Sequence, residues 1–371
     1  MVVANLRTSR IEISKQALAN NIAVTMQTSH AKHMFLAVKA NGYGHGLLTM
    51  AQAAVELGVY GLAVAVVDEG LALRQAGITI PIMILGYTEP QYAEILVQNN
   101  LIVNVVSLDW LNQAQGFLTG VAPLQASLAV DSGMNRLGMR NETEVLESID
   151  FMSNHRNLFN WVGIMTHFAT ADSSDVAYFN KQLHRFNVII KQLPYLPEMI
   201  HVANSGAAVY HADEVPTDYI RVGTVVYGWE PSGMELADGK NLKPAMNIKS
   251  ALSYVKQLPS GEGISYSHIY ETTENEWIGT VPLGYGDGID RELTGYKILV
   301  GHEWCPIIGK IAMDQLMVKL PYQMPVGTEV TILGSNGSEN IDIWDVAHYC
   351  HLEPWEFTNR LTERLPRILV D

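Results

Sequence analysis

The sequence predicts a (β/α)₈ TIM barrel followed by a smaller, predominantly β C-terminal domain. In the first two-thirds of the 371 residues, short and continuously apolar runs alternate with amphipathic segments. This pattern is typical of parallel strands that are buried on both faces and linked by helices. From about residue 243, strands separated by Gly, Pro and Asn turns replace the alternation. A doubly wound open sheet is the alternative for the first part, because a sequence does not show whether a sheet closes.

Eight apolar runs are the candidates for the barrel strands. They are residues 34–38, 61–66, 81–85, 101–106, 125–131, 161–166, 198–203 and 218–227. Amphipathic segments between these runs predict helices. Residues 46–57 place apolar side chains on one helical face and precede Gly58, a suitable C-cap. Residues 68–76 begin with acidic side chains, which favour a helix N-terminus.

The last third of the chain is predicted to be β-rich. Its predicted strands are residues 248–257, 276–283, 297–300, 304–318 and 328–333, and its predicted helices are 343–349 and 353–363. The turn sequence Ser335-Asn-Gly-Ser338 follows the last of these strands. We therefore expect three parts, which are an N-terminal strand at 1–12 that packs with the C-terminal domain, a barrel at 13–243 and a β domain at 244–371.

Composition narrows the classes of protein and partner. The chain has 24 Lys plus Arg against 38 Asp plus Glu, a net charge of −14, which argues against non-specific binding to nucleic acid. Its two cysteines, Cys305 and Cys350, favour a reducing compartment. No secretory signal pattern and no uninterrupted apolar stretch of about 18 residues is found. We expect a cytoplasmic protein with no membrane partner.

Polar residues lie at or near the carboxyl ends of five of the eight predicted strands. Because active sites of such barrels lie at the carboxyl ends of the strands, these residues are the candidates for chemistry. They are Lys39, Asp131 with Arg136, Thr166-His167, Asn204-Ser205 and Arg221.

The strongest local motif is Ala37-Val-Lys-Ala-Asn-Gly-Tyr-Gly-His-Gly46, an apolar strand that ends in a lysine and a glycine-rich turn. Glycine permits strained turns and close approach of the backbone to a ligand. A partly desolvated lysine loses its proton more easily and becomes a nucleophilic amine. Taken alone, an ordinary surface lysine beside a turn is the commoner interpretation.

This decapeptide closely resembles the pyridoxal-phosphate attachment motif of the alanine racemases. Further matches follow in order along nearly the whole chain. They are Asp131-Ser-Gly-Met-Asn-Arg-Leu-Gly138, Thr166-His-Phe-Ala-Thr-Ala-Asp172, Ala203-Asn-Ser205, Arg221-Val-Gly-Thr224, Tyr227-Gly228, Ser265-Tyr266, Gly284-Tyr-Gly-Asp-Gly288 and Met313-Asp-Gln315.

The resemblance implies a role for each matching residue. Lys39 would carry pyridoxal 5′-phosphate and act as one acid/base group, and Tyr266 would be the second, on the opposite face of the substrate. The implied cofactor-binding residues are Lys39, Tyr43, His167, Ser205, Arg221, Gly223 and Thr224. The implied substrate-binding residues are Arg136, Met313 and Tyr285.

The residue chemistry agrees with these roles. Racemisation removes a proton from one face of the α-carbon and delivers one to the other, which suits two groups better than one. Free Lys and Tyr titrate near pH ~10, so both pKa values must fall for either to act as a base at neutral pH. Arg221 would face the pyridine nitrogen and, because it does not give up its proton, keep that nitrogen unprotonated. This should suppress transamination.

Two positions depart from the family pattern. Many members carry a modified lysine two residues before Asp131, which orients the arginine, whereas this chain has Ala129. Near the C-terminus, Trp355 stands where the family often has a tyrosine that reaches the cofactor phosphate. The cluster His348-Tyr-Cys-His351 is a weak metal candidate, since no partner cluster at zinc-site spacing follows it, and no metal site is predicted.

The resemblance implies an alanine racemase that interconverts L- and D-alanine and supplies D-alanine for bacterial peptidoglycan. It also implies a homodimer in which Tyr266 and Met313 complete the site of the other subunit. The alternatives are a racemase of serine or of broad amino-acid specificity, and a protein that binds pyridoxal phosphate without turnover.

Overall fold

The computed structural model describes residues 2–233, 235–236 and 241–371. They form two compact units. The barrel unit consists of Gln16–Gly42 and Met50–Lys243, and the β unit consists of Met1–Lys15, Tyr43–Thr49 and Pro244–Asp371. The β unit therefore takes up strand β1 (Arg10–Ser14) and a short segment from within the first third of the chain. The domain limits at 1–12, 13–243 and 244–371 remain a prediction.

Eight parallel strands form the barrel unit. They are β2 (His33–Ala37), β3 (Gly61–Val64), β4 (Ile82–Ile84), β5 (Leu101–Val105), β6 (Leu124–Ala129), β7 (Phe159–Met165), β8 (Met199–Ile200) and β9 (Tyr219–Val222). Their order is β8-β7-β6-β5-β4-β3-β2-β9. Just beyond β8, Ala203 O accepts a 2.9 Å hydrogen bond from Arg221 N–H on β9. The ring is therefore nearly closed, which confirms the barrel and makes the doubly wound alternative wrong.

Helices alternate with these strands. They are α1 (Lys15–Ser29), α2 (Leu47–Glu56), α3 (Val67–Gln75), α4 (Ala93–Gln98), α5 (Leu108–Ala114), α6 (Glu142–Asn154), α7 (Ala177–Ile190) and α8 (Ser205–Tyr210). Side-chain caps fix several N-termini, since Ser107 accepts from Trp110 N–H and Asn141 accepts from Glu144 N–H. No helix among the described residues is both long and apolar enough to cross a membrane.

The core of the barrel unit lies among the strands. Every residue of β3, β4 and β5 is buried, which explains why their sequences are apolar without alternation. Three polar side chains break this pattern and are also buried, namely Asn104 on β5, Ser127 on β6 and Arg221 on β9. Because a buried polar group costs free energy unless it is hydrogen-bonded, each of these three side chains needs a hydrogen-bond partner.

The predicted strand at 218–227 is too long. Strand β9 ends at Val222, and the following residues form consecutive turns in which Gly223 O accepts from Val226 N–H at 2.8 Å and Thr224 O accepts from Trp229 N–H at 3.0 Å. These local bonds replace a strand ladder. Tyr227 OH donates to Ala37 O at 2.8 Å, so the turn is attached to the end of β2.

The β unit contains one large mixed sheet and a separate two-stranded sheet. Its remaining strands are β10 (Met246–Ala251), β11 (Tyr254–Leu258), β12 (Gly263–Ile264), β13 (Tyr270–Glu271), β14 (Glu276–Val281), β15 (Lys297–Val300), β16 (Glu303–Ile308), β17 (Leu316–Leu320), β18 (Glu329–Asn336), β19 (Glu339–Ile341) and β20 (Arg367–Val370). The main order is β11-β14-β17-β16-β15-β18-β10-β1-β20, with β19 on β18 and β12 paired with β13. The predicted β-rich C-terminal domain is confirmed.

Three predicted elements of the β unit have the wrong extent. Residues 248–257 form two strands, β10 and β11, and residues 304–318 form two strands separated by a turn at Gly309, whose φ is 66°. The predicted helix at 353–363 is α10 (Pro354–Asn359), which follows α9 (Ile343–Tyr349). It ends because Thr362 N–H donates to Asp287 O at 3.0 Å instead of continuing the helix.

A buried carboxylate organises one end of the β unit. Asp287 is fully buried, pairs with Arg7, and accepts a 3.0 Å hydrogen bond from Gly284 N–H. Arg364 Nε lies 3.5 Å from the same carboxylate. Asp287 therefore joins the N-terminal segment to the turn that carries Tyr285.

Replacing Asp287 with Ala should destabilise the protein strongly, because it leaves two arginines without their buried anion. We expect the free energy of unfolding to fall by about 3 kcal/mol, measured by equilibrium urea denaturation. Asp218→Ala is the control, since Asp218 pairs with Lys32 in an exposed ion pair and its loss should cost less than about 1 kcal/mol. Equal effects of the two substitutions would contradict this view of Asp287.

Candidate active site

Lys39 lies just beyond strand β2, where the chain reverses sharply. Residues 40–43 have φ angles of 52°, 54°, 61° and 52°, a left-handed turn that costs free energy at every residue except glycine. Gly42 N–H donates to Val38 O at 2.8 Å and closes this turn. Such strain persists only where surrounding contacts impose it, and it is concentrated at functional sites.

Glu69 supplies the contact that imposes the turn. Its Oε1 accepts from Ala40 N–H at 2.7 Å, and its Oε2 accepts from Ala65 N–H at 2.8 Å and Val66 N–H at 3.3 Å. One carboxylate on α3 thus links the residue after Lys39 to the end of β3. The sequence analysis missed Glu69, although an acidic residue in the first turn of a predicted helix was visible.

The environment of Lys39 favours its neutral amine. Burial is the main cause that lowers the pKa of Lys39, and the nearby positive charge of Arg136 lowers it further, whereas Glu69 raises it. A lysine whose pKa is depressed in this way is a better nucleophile and base near neutral pH.

Arg221 is buried and bonded to neutral acceptors. Its Nη2 donates to Thr166 O at 2.9 Å and lies 3.4 Å from His167 Nδ1, and its Nη1 donates to His201 Nδ1 at 2.9 Å. Burial, with help from the charge of Arg136, lowers the pKa of Arg221 to about 9, so it still carries its charge at neutral pH. The described contacts give it no carboxylate, and Asp218, three residues before Arg221 in the chain, pairs with Lys32 instead.

His167 is neutral at physiological pH. Burial and the charges of Arg221, Arg136 and Lys39, in that order, lower its pKa to about 3. Because an arginine only donates hydrogen bonds, His167 Nδ1 accepts from Arg221 and the ring proton resides on Nε2. Gln182 holds the segment in place, donating to His167 O at 2.9 Å.

A hydroxyl and a backbone amide converge after β8 and β9. Ser205 Oγ accepts from Gly223 N–H at 3.2 Å, and Asn204 caps α8 by accepting from Ala207 N–H at 3.0 Å. Thr224 follows Gly223 in the turn. Hydroxyls and N–H groups gathered at chain turns are suitable donors to a phosphate.

Arg136 lies on a loop shaped by Asp131. Asp131 Oδ1 accepts from Gly133 N–H at 3.0 Å and from Asn135 N–H at 2.8 Å. The loop closes where Met139 N–H donates to Ala129 O at 2.8 Å. The positive charge of Arg136 contributes to the lowered pKa values of Lys39, His167 and Arg221. These four predicted residues therefore belong to one electrostatic site.

A small cavity of about 30 Å³ adjoins Ala129, and Asn104, Arg136 and His167 are among its lining residues. Asn104 is buried, and neither polar atom of its side chain has a hydrogen-bond partner among the described residues. The sequence analysis missed Asn104. The available signal was an asparagine inside the apolar run Leu-Ile-Val-Asn-Val of β5.

The other predicted residues belong to the β unit. Tyr43 has a pKa raised to about 12 by burial. Tyr266, Met313 and Tyr285 are 70%, 52% and 41% exposed. Backbone bonds link the last two segments, since Gly286 N–H donates to Met313 O at 2.8 Å.

The turn that presents Tyr266 is anchored to the same region. Ser265 has a φ of 63°, and its Oγ donates to Lys310 O at 2.6 Å. Lys310 Nζ in turn donates to Ser267 Oγ at 3.0 Å. The turn that carries Tyr266 is therefore bonded to Lys310, three residues before Met313 in the chain.

Comparison with known proteins identifies the family. Residues 13–231 match the sequence profile of the alanine racemase N-terminal domain, and residues 245–369 match that of the alanine racemase C-terminal domain. The chain belongs to the alanine racemase family. Members of this family are pyridoxal-phosphate-dependent amino-acid racemases, which are isomerases, so a binding protein without turnover is not supported.

Relatives of the chain differ in their named substrates. A lysine racemase from Oenococcus oeni is 46% identical over 373 residues, covering 100% of both chains. An alanine racemase from Lactiplantibacillus plantarum is 40% identical over 375 residues, also covering 100% of both. A solved histidine racemase from Leuconostoc mesenteroides superimposes with a TM-score of 0.95 at 31% identity, covering 100% of both chains. Membership of the alanine racemase family therefore leaves the amino acid open.

The residues of the barrel unit fit the family's cofactor. The amine of Lys39, whose pKa is lowered, is a suitable nucleophile for a carbonyl carbon. The Ser205 hydroxyl and the Gly223 N–H are suitable hydrogen-bond donors to a phosphate. The buried cation Arg221 offers N–H donors and no carboxylate to a ring nitrogen. Pyridoxal phosphate, when bound, withdraws electrons from the substrate α-carbon.

Both departures from the family pattern are visible in the structure. Ala129 leaves the cavity beside Asn104. Trp355 lies in the first turn of α10, with its ring 6.3 Å from that of Trp344, and offers no hydroxyl. Among the described residues, no group of three or more His, Cys, Asp or Glu side chains is placed to hold a metal ion.

Glu69→Ala should loosen the turn and shift the titration of Lys39. Loss of the acceptor for three N–H groups should cost about 2 kcal/mol of stability. Because the Glu69 charge raises the pKa of Lys39, its removal should lower that pKa further. The rate at which cofactor-stripped protein rebinds pyridoxal phosphate follows the free amine, so its pH midpoint should move to lower pH.

Glu94→Ala is the matched control for this measurement. Glu94 also accepts hydrogen bonds from a backbone N–H and a hydroxyl, both of Thr119, but it is not among the groups that shift the pKa of Lys39. A midpoint that stays in place in Glu69→Ala, or rises, would contradict the assignment.

Proposed function

We propose that this racemase interconverts L- and D-alanine by proton exchange at the α-carbon, with Lys39 and Tyr266 as the two acid/base groups. The observation that carries the proposal is the grouping of Lys39, Arg136, His167 and Arg221 in one electrostatic site at the carboxyl ends of the barrel strands. We further propose that the enzyme acts in the cytoplasm and that its product, D-alanine, is used to build peptidoglycan.

Lys39 holds the cofactor and then moves one proton. Its lowered pKa leaves more of the amine unprotonated near neutral pH, as both tasks require. The left-handed turn at 40–43 and the Glu69 carboxylate fix the backbone next to it. This restricts the amine to one face of the substrate.

Tyr266 serves the opposite face, from the partner subunit of a homodimer. Its large exposed fraction and the exposed Tyr285 and Met313 support an arrangement in which a second copy of the chain covers them. Buried side chains of this size contribute strongly to interfaces. Each site is then completed by residues of both chains.

Arg221 and His167 set the electronic character of the site. A guanidinium that keeps its proton disfavours a proton on the ring nitrogen, which limits delocalisation of negative charge into the ring and favours return of the proton to the α-carbon. The neutral His167, with its proton on Nε2, extends the hydrogen-bond chain from Arg221 toward Tyr266.

The remaining residues bind the two anionic groups. Tyr43, Ser205, Gly223 and Thr224 hold the phosphate. Arg136 and the backbone of Met313 hold the substrate carboxylate, and Tyr285 narrows the entrance. A crowded entrance favours the methyl side chain of alanine.

A racemase of broader specificity is the second candidate. The relatives named lysine racemase and histidine racemase and the cavity beside Ala129 favour it. Serine is another small substrate that the same pocket would accept.

Incubation with single L-amino acids separates these candidates. We expect kcat/KM for alanine to exceed the values for serine, lysine and histidine by at least about tenfold, because a larger side chain must displace Tyr285 or its neighbours. Enantiomers are resolved by chiral chromatography. A higher kcat/KM for lysine or histidine would overturn the alanine assignment and leave the racemase class intact.

The two acid/base groups are tested by Lys39→Ala and Tyr266→Phe. Lys39→Ala should abolish the visible absorbance of the lysine-linked cofactor and reduce racemisation by at least about 10³-fold. Tyr266→Phe should retain that absorbance. It should slow the loss of the α-deuterium from one enantiomer of the substrate more than from the other. Near-normal rates in both directions for Tyr266→Phe would exclude a two-base scheme.

A further inference from the structure

A fully buried histidine connects Arg221 to strand β6. His201 follows β8, and its Nδ1 lies 2.9 Å from Arg221 Nη1. On the other side of the ring, His201 Nε2 lies 2.8 Å from Ser127 Oγ. Both His201 and Ser127 are completely shielded from solvent. The three side chains thus form a linear chain of hydrogen bonds inside the barrel.

The protons in this chain have one consistent arrangement. An arginine side chain donates hydrogen bonds and accepts none, so His201 Nδ1 is the acceptor and carries no proton. Burial, followed by the charge of Arg221, lowers the pKa of His201 well below its usual value, so the ring is neutral and has a single proton. That proton resides on Nε2, and Ser127 Oγ accepts it.

Arg221 therefore sets the tautomer of His201, and Ser127 supplies the buried acceptor for its Nε2–H. If the hydroxyl is removed, Nε2–H becomes a buried donor without an acceptor, which costs about 1–3 kcal/mol. Moving the proton to Nδ1 relieves this cost but places a donor against the donor of Arg221. Either outcome weakens the hold on the guanidinium.

The surroundings leave no room for a substitute. Gly163 on β7 lies beside the pair, and a Cβ at that position would be 3.1 Å from both His201 Nε2 and Ser127 Oγ. The Ser127 Oγ to His201 Nε2 distance of 2.8 Å is that of a direct hydrogen bond. The contact is therefore direct and depends on the serine hydroxyl.

We propose that Ser127 is a positioning residue, which accepts a hydrogen bond from His201 Nε2–H, holds the imidazole against Arg221 and thereby fixes the place of the Arg221 guanidinium. Since the other described partners of the Arg221 side chain are Thr166 O and His167, His201 is one of only three groups that hold it. This inference rests on the proposed function, in which Arg221 faces the ring nitrogen of the cofactor and suppresses transamination.

The tautomer is measured directly on the holoenzyme without added amino acid. Nitrogen-15 NMR of histidine-labelled protein, with His201 assigned by its absence in His201→Gln, should show an unprotonated Nδ1 and a protonated Nε2. In Ser127→Ala the Nε2 proton should remain but lose its hydrogen bond, which is seen as an upfield shift of the proton resonance and faster exchange with solvent. A protonated Nδ1 in the unchanged protein would overturn the proposal.

The consequence for reaction specificity is measured as transamination events per racemisation event, from the absorbance of the pyridoxamine form and chiral analysis. We expect Ser127→Ala to raise this ratio about tenfold with little change in KM, as loss of about 1.4 kcal/mol of positioning implies. Ser148→Ala is the control, because Ser148 is an equally buried serine whose hydroxyl donates to Glu144 O on α6. Its ratio should stay at the original value.

A matched pair guards against misfolding of Ser127→Ala. Thr and Val have nearly the same shape, so the comparison of Ser127→Thr with Ser127→Val isolates the hydroxyl, and only the Val variant should show the raised ratio. Ratios within twofold of each other in this pair would overturn the proposal. If the unchanged enzyme racemises no amino acid yet Ser127→Ala removes the hydrogen bond of His201 Nε2–H, the proposed function fails and the role of Ser127 in holding His201 stands.

Discussion

The burial of a positive charge among neutral acceptors is the constraint on which the barrel end depends. Arg221 lies inside the ring of strands, and the described partners of its side chain are a carbonyl oxygen and two imidazole rings. A carboxylate partner would stabilise the guanidinium more but would also cancel its field. Its neutral partners leave the charge of Arg221 uncompensated, so the charge acts on neighbouring groups. This arrangement lowers the stability of the protein, and the rest of the fold offsets that cost.

The same field explains several features that otherwise look unrelated. Burial and, after it, this field lower the pKa values of His167 and His201, so each ring carries one proton and is a fixed donor and acceptor pair. Together with Arg136, the charge of Arg221 also makes the barrel end positive although the chain as a whole carries −14. The acidic surface and the cationic site are compatible because charges separated by more than a Debye length of about 8 Å are largely screened in solvent.

Sequence patterns predicted the fold more completely than the site. Continuous apolar runs located every barrel strand, because strands buried on both faces need apolar side chains throughout, and the family motifs located Lys39, Arg136, His167 and Arg221. The ends of elements were less predictable. Strand β9 stops at Val222 because hydrogen bonds within the turns after it replace those of the strand ladder. An apolar run does not indicate where such turn bonds begin.

Residues that act through others were invisible for a related reason. Glu69, Asn104, Ser127 and His201 matter because of what lies beside them in space, and decisive neighbours, such as Ala40 for Glu69 and His201 for Ser127, are distant in sequence. A serine on a strand or a glutamate on a helix has many ordinary explanations. Only the distances between side chains distinguish a residue that holds an imidazole or a turn from one that faces solvent.

The position of β1 in the sheet of the β unit has a consequence for biosynthesis. Strand β1 lies between β10 and β20, pairing in parallel with the last strand of the chain. A nascent chain leaves the ribosome from its N-terminus, so β1 is made first but gains this neighbour only when residues 367–370 emerge. Since synthesis proceeds at about 5–20 residues per second, β1 stays without its partners for tens of seconds. During that time it is an exposed edge that chaperones or a second nascent chain can reach before its own C-terminus does.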